Sequence, residues 1–248
     1  MDILYILGTG SKHDNIELRM SLRSICKYGR DIGRVIVAGD PVDWLSDDVV
    51  KVKIPVKYKR KHHEMMNRVQ YCVEKGIVDG EFLVSSDDHF YVKPIDFDNY
   101  PFYAKSLKLR NRAVKGEKCF GYHLSLVQTR ALLEKYNLPI INFEQHCNTH
   151  LHAKVIRDFK WLIDETYSLE RGSPPTTVVM NAWLTTDYAP QEIHKRSDVK
   201  LSKADSIKDI RDGIGDRECF SIGDSIFSGH AIMDFFKLEF PDKCRYER

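Results

Sequence analysis

The sequence has no run approaching 18 apolar residues, the length a helix needs to cross a bilayer, so no membrane span is predicted. It has no Cys-x-x-Cys pair. The six cysteines (Cys26, Cys72, Cys119, Cys147, Cys219 and Cys244) are scattered, which argues against a zinc cluster and predicts reduced thiols in a cytoplasmic protein. A signal-peptide pattern is absent too: Met-Asp-Ile-Leu-Tyr-Ile-Leu-Gly begins with an acid and runs straight into a strand-like stretch. Nor is charge of one sign in excess. Against 38 Lys and Arg stand 36 Asp and Glu, and the net charge of +2 neither demands nor excludes a nucleic-acid partner. No repeat, low-complexity tract or linker divides the 248 residues, so a single domain over 1–248 is expected. A chain of that length buries roughly 70–75% of its unfolded surface.

What is present first is alternation. Ile3-Leu4-Tyr5-Ile6-Leu7 reads as a buried strand running into the loop Gly8-Thr9-Gly10-Ser11. A helix is predicted from Asn15 to Tyr28, with Ile16, Met20, Ile25 and Cys26 on its apolar side and Gly29 as its stop. Strands follow at residues 34–38, ending in Gly39-Asp40, and at residues 49–54. A second helix runs from His62 to Lys75, stopped by Gly76, and a strand at residues 81–84 enters Ser85-Ser86-Asp87-Asp88-His89. Strand, helix, strand, strand, helix, strand predicts an α/β fold with a mostly parallel sheet and helices on its faces. Ligands of such sheets bind beyond the carboxyl ends of the strands, where Gly8, Asp40 and Asp87 are expected to open onto one cleft. In the second half, helices are predicted at residues 123–136, 151–162 and 231–238. Residues 171–177 read as a loop, and the charged stretch 195–214 as a mobile flap.

The turn Ser86-Asp87-Asp88-His89 is the candidate reaction centre. Carboxylates bind hard divalent cations and imidazole suits Mn²⁺. A cation there bridges two phosphates and offsets charge growing on a leaving nucleotide diphosphate. Asp87 and His89, one residue apart, both reach one ion from a tight turn. The alternative is a solvated Asp-Asp turn.

Leu83-Val84-Ser85-Ser86-Asp87-Asp88-His89 resembles the DxD-type motif of GT-A glycosyltransferases, in a DxH form. The resemblance implies a GT-A-like, Rossmann-like fold in which Asp87 and His89 hold Mn²⁺ or Mg²⁺ and the donor diphosphate, with Asp88 between them in a catalytic position. A second similarity spans roughly residues 15–95. Glu17-Leu18-Arg19-Met20-Ser21-Leu22-Arg23-Ser24-Ile25, Tyr28, Val35-Ile36-Val37 and Pro41-Val42-Asp43-Trp44-Leu45 resemble the pattern of Stealth-type sugar-phosphate transferases. Two departures are visible: Ser86 replaces that family's leading Asn, and its opening Asp-Gly-Ser segment appears only as Gly8-Thr9-Gly10-Ser11.

The resemblance and the strand ends together nominate further residues. Gly8, Thr9 and Asp40 are candidates for the nucleotide sugar. Arg19 and Arg23, four apart on one helical face, suit a diphosphate, or else form an ordinary solvated face. Asn67 lies on the helix from which GT-A enzymes often contact the nucleotide, or is a plain surface residue. Phe143-Glu144-Gln145-His146 is similar to a Glu-x-His segment of Stealth-like proteins; Glu144 is then a candidate general base for an acceptor hydroxyl and His146 a further metal or phosphate contact. His230 competes with His146. The first half, residues 1–100, is expected to bind the nucleotide sugar, and residues 101–248 the acceptor. Basic runs at residues 51–61 and 105–118 suit acceptor phosphates, those of nucleic acid included, or are solvated surface.

The sequence thus reads as a metal-dependent glycosyltransferase moving a sugar from a nucleotide-diphospho-sugar to a hydroxyl of a glycan, small molecule or modified DNA base. The alternatives are a Stealth-type sugar-1-phosphate transferase and a non-catalytic nucleic-acid- or glycan-binding module.

Overall fold

The structure, a computed structural model, describes residues 1–8, 13–109, 120–196 and 199–248. Thr9 and most of the second basic run lie outside the described residues. In chain order the elements are β1 (Asp2–Leu7), α1 (Ile16–Tyr28), β2 (Gly29–Arg30), β3 (Val35–Gly39), β4 (Val49–Lys53), α2 (Lys61–Glu74), β5 (Glu81–Ser85) and β6 (His89–Tyr91). Then come β7 (Ile95–Asp96), β8 (Tyr103–Ala104), α3 (Gly121–Lys135), β9 (Thr149–His152), α4 (Ala153–Asp158), α5 (Lys160–Thr166) and α6 (Pro175–Trp183). The chain finishes with β10 (His194–Lys195), β11 (Lys200–Leu201), α7 (Ile207–Ile214), β12 (Cys219–Ile222) and α8 (Ala231–Glu239).

The central sheet has the order β4-β3-β1-β5-β9. Its first four strands are parallel and β9 is antiparallel to β5. The alternation of side chains along the strands explains why both faces are covered. Leu4 and Ile6 of β1, Ile36 and Ala38 of β3, and Phe82 and Val84 of β5 join one core with Met66, Val69 and Val73 of α2. Their neighbours Ile3, Tyr5, Leu7, Val35, Val37 and Leu83 join a second core with Leu18, Leu22 and Ile25 of α1. Helices therefore lie on both faces, and the α/β reading with a mostly parallel sheet holds.

A third core gathers Phe90 of β6, Phe220 and Ile222 of β12, Ile210 and Ile214 of α7, and Phe235 and Phe236 of α8. It rests on a three-stranded sheet of order β11-β12-β6, where β12 pairs antiparallel with β6. Residues 199–214 are thus not a flap: β11 and α7 belong to this packed unit, and a Ser206–Asp209 capping box fixes the start of α7. Two further expectations are corrected. The helix read from 151 begins with the strand β9, which completes the central sheet. The loop read over 171–177 gives way to α6 at Pro175, a residue whose fixed φ suits the first helical turn. Among the described residues no helix is long and apolar enough to cross a membrane.

Candidate active site

The carboxyl ends of β1 and β5 open into a cleft of about 510 Å³. Ile6 and Gly8 form its floor, and Ser86, Asp87 and Asp88 one wall. The opposite wall is α2, which presents Lys61, Glu64, Met65 and Arg68 at helical spacings of three and four. Val56 and Tyr58, from the segment after β4, border that wall. Lys200, Ile222, Asp224 and Phe227, from the third core and its margin, close the far side. Glu17 and His13 also line it.

Arg68 is the buried anchor of this arrangement, 2% exposed. Its Nε donates to Glu64 Oε1 at 2.8 Å and its Nη1 donates to the Leu7 carbonyl. The approach to Leu7 crosses Gly39, whose φ of 136° and lack of a Cβ leave room; a Cβ there would run into the Leu7 oxygen and the guanidinium. Glu64 also accepts the Lys57 and Tyr58 N–H groups at 3.1 and 2.9 Å, which ties the post-β4 segment to α2. The Tyr58 ring stacks on Tyr167 with centroids 4.8 Å apart.

The acidic turn faces these cations. Burial, then the charges of Asp88 and Glu17, push the Asp87 carboxyl up to about 7. Asp88 reaches toward Lys200, with Oδ2 3.9 Å from Nζ. His89 does not line the cleft. As the first residue of β6 it pairs with Ser221 and is 5% exposed. Its ring lies under the turn, where the Ser86 N–H donates to Nδ1 at 3.4 Å and Nε2 is 3.8 Å from Asp88 Oδ1. Burial lowers its pKa, so the imidazole is neutral near pH 7. Its position supports the turn rather than a ligand site facing the cleft.

Among the described residues no group of three or more His, Cys, Asp or Glu side chains is placed to hold a metal ion. What the cleft offers is a pair, Asp87 and Asp88. Burial, with the neighbouring charges of Asp88 and Glu17 added, disfavours the Asp87 carboxylate as it stands, and a divalent cation whose other ligands are phosphate oxygens and water would stabilise it.

Other nominated residues are placed elsewhere. Arg19 and Arg23 face the C-terminus: Arg23 Nε and Nη2 donate to the two Glu247 carboxylate oxygens at 2.6 and 2.9 Å, and Arg19 Nη1 donates to Glu247 Oε2 at 3.3 Å. Arg19 also lies over the Trp44 ring at 4.5 Å. Asn67 is half-buried on α2, one residue from Arg68, and does not line the cleft. Asp40 is exposed just beyond β3, outside the lining. His230 is exposed at the start of α8. Glu144 and His146 line a second cavity that shares Lys61 and Lys200 with the cleft. His150 is structural: it stacks on Phe102 at 3.9 Å and bridges Glu81 Oε1 and the Tyr100 carbonyl at 2.6 and 2.7 Å.

Sequence reading missed Arg68, Lys61 and Glu64 as cleft residues. Their shared helical face, at positions 61, 64, 65 and 68, was the available signal. Glu17 and Lys200 had none, since elements far apart in the chain bring them in. A comparison with models of known protein families gives no match to this chain, and a comparison with curated protein sequences gives none either.

Proposed function

We propose that this protein is a metal-dependent glycosyltransferase with a GT-A-like fold, using a nucleotide-diphospho-sugar as donor. One observation carries the reading: at the carboxyl ends of parallel strands, the Asp87-Asp88 pair lines a single cleft together with Lys61, Arg68 and Lys200. A diphosphate is the ligand such a wall pairing suits, with lysines on one set of its oxygens and a carboxylate-held cation on another. Asp87 and Asp88 would hold Mn²⁺ or Mg²⁺, which when bound supplies positive charge against the departing nucleoside diphosphate.

The chain's own residues do the rest. Lys61 and Lys200 orient the phosphates and oppose their charge. Arg68, held by Glu64 and Leu7, keeps α2 and β1 at a fixed separation. Tyr58 and Phe227 offer aromatic faces for the base or ribose. Glu144, in the adjoining cavity, is the candidate base for an acceptor hydroxyl.

The test is a thermal-shift and turnover screen of nucleotide sugars with and without Mn²⁺. A donor that binds only the folded state raises the melting temperature by mass action. Release of nucleoside diphosphate supports glycosyl transfer. Release of nucleoside monophosphate assigns sugar-phosphate transfer instead, and no metal-dependent binding by any donor overturns the reading.

A further inference from the structure

The second cavity has a volume of about 480 Å³, a size suited to a small ligand rather than a polymer groove. Its wall carries Arg60, Lys61, Lys105, Arg171 and Lys200, and among the described residues its lining has one carboxylate, Glu144. The balance is therefore strongly positive. Arg60 and Lys61 form no ion pair among the described residues. Among the described residues Arg171 is ion-paired only with its neighbour Glu170, at 3.5 Å, and Lys200 lies 3.9 Å from Asp88. Like charges gathered round one cavity repel, and an anion entering it relieves that repulsion. Guanidinium forks match phosphate geometry in particular.

We infer that this cavity is the acceptor site and that the acceptor is a small hydroxyl compound carrying a phosphate group. The inference rests on the reading of the neighbouring cleft as the donor site. Arg60 and Arg171 take the phosphate, and Glu144 faces the hydroxyl. In the transfer, the acceptor oxygen forms a bond to the anomeric carbon and its proton passes to Glu144. The bond from that carbon to the donor's diphosphate oxygen breaks, and its electron pair leaves with the nucleoside diphosphate.

Calorimetry tests this with glucose 6-phosphate, other hexose phosphates, their parent sugars and inorganic phosphate, each titrated with Mg²⁺ present and with or without saturating uridine or guanosine diphosphate. At least one hexose phosphate is expected to bind tenfold or more tightly than its parent sugar. Arg60→Gln, at an exposed position, and Arg171→Gln, at a half-buried one, should each weaken it at least tenfold while leaving nucleoside diphosphate affinity and melting temperature unchanged. Equal affinity for parent and phosphorylated sugars overturns the proposal, as does phosphate binding indifferent to both variants. Binding through these arginines by a short oligonucleotide alone also overturns it, by assigning the cavity to a nucleic-acid backbone. The nucleoside diphosphate arm separates the two readings. If diphosphates bind and no sugar phosphate does, this inference fails alone; if sugar phosphates bind through the arginines and no diphosphate binds, the phosphate site stands and the donor reading falls.

Discussion

Asp87 sits where a carboxylate weakens the fold. It is pressed by burial and by the charges of Asp88 and Glu17. Removing its charge while keeping its shape should harm function and spare folding. Asp87→Asn is expected to lower turnover at least about a hundredfold, the scale of several kcal/mol of lost transition-state stabilisation. Its melting temperature without ligand should equal or exceed that of the wild type, because the cost of burying the carboxylate charge, and with it the repulsion from Asp88 and Glu17, has gone. Chelation by EDTA should silence the wild type, with Mn²⁺ or Mg²⁺ restoring it. Normal turnover in the variant or in EDTA would return Asp87-Asp88 to a solvated turn. Glu64 is the opposite case. It neutralises the buried Arg68 and holds two N–H groups of the post-β4 segment. Glu64→Ala should destabilise the protein by about 3–5 kcal/mol, the cost of stranding a buried charge, as read by urea unfolding.

Among the elements, α1 is fastened to the C-terminus by its charged face. The Glu247 side chain is 1% exposed and meets both arginines. Burial works to raise its pKa, but hydrogen bonds from Arg23 and the Cys244 N–H, with the charges of Arg23 and Arg19, hold it below the usual carboxylate range. A depressed carboxyl contributes stability above the unfolded-state pKa, about 4.3, and loses it as pH falls through the folded value. Arg23→Ala should cost about 3 kcal/mol near pH 7, by analogy with other half-broken buried pairs, and progressively less below about pH 4. Unfolding curves at pH 7 and pH 3 measure the difference; an equal cost at both would remove the ion pair as its cause. Donor affinity should not change.

The same elements mark how far the sequence could be read. β1, β3 and β5 were legible because burial on both faces writes them as unbroken apolar runs. β9 was not: Thr149-His150-Leu151-His152 is short, three of its four residues are polar, and it runs directly into α4. α6 hid behind Pro174-Pro175, although Pro at a first turn permits a helix. α7 left a signal in Ile207, Ile210 and Ile214, obscured by the charges between them. At the site, the strand end of β5 announced Asp87 and Asp88. His89 misled because pairing with β12 turns its ring beneath the turn. Arg19 and Arg23 misled because their partner is 224 or more residues away, beyond any local pattern.

At the scale of the whole molecule, the C-terminal residues complete the structure rather than trail from it. Leu45 bridges Glu247, the Arg248 N–H donates to the Trp44 carbonyl at 2.8 Å, and Tyr246 is buried in the core around α1. Deleting residues 244–248 should therefore lower the melting temperature by at least about 5 °C, since a loss of even 1 kcal/mol moves a domain of this size by roughly 2–4 °C. Differential scanning calorimetry reads it; an unchanged midpoint would show the tail to be dispensable.

The reach from α1 to Glu247 also imposes an order in time on the making of the protein. Domains begin to fold from the N-terminus while synthesis continues. The ribosome delivers α1 and its two arginines 224 or more residues ahead of their carboxylate. The parallel strands are free to pair while translation proceeds, yet the charged face of the first helix must wait, hydrated and uncompensated, until Glu247 has been made.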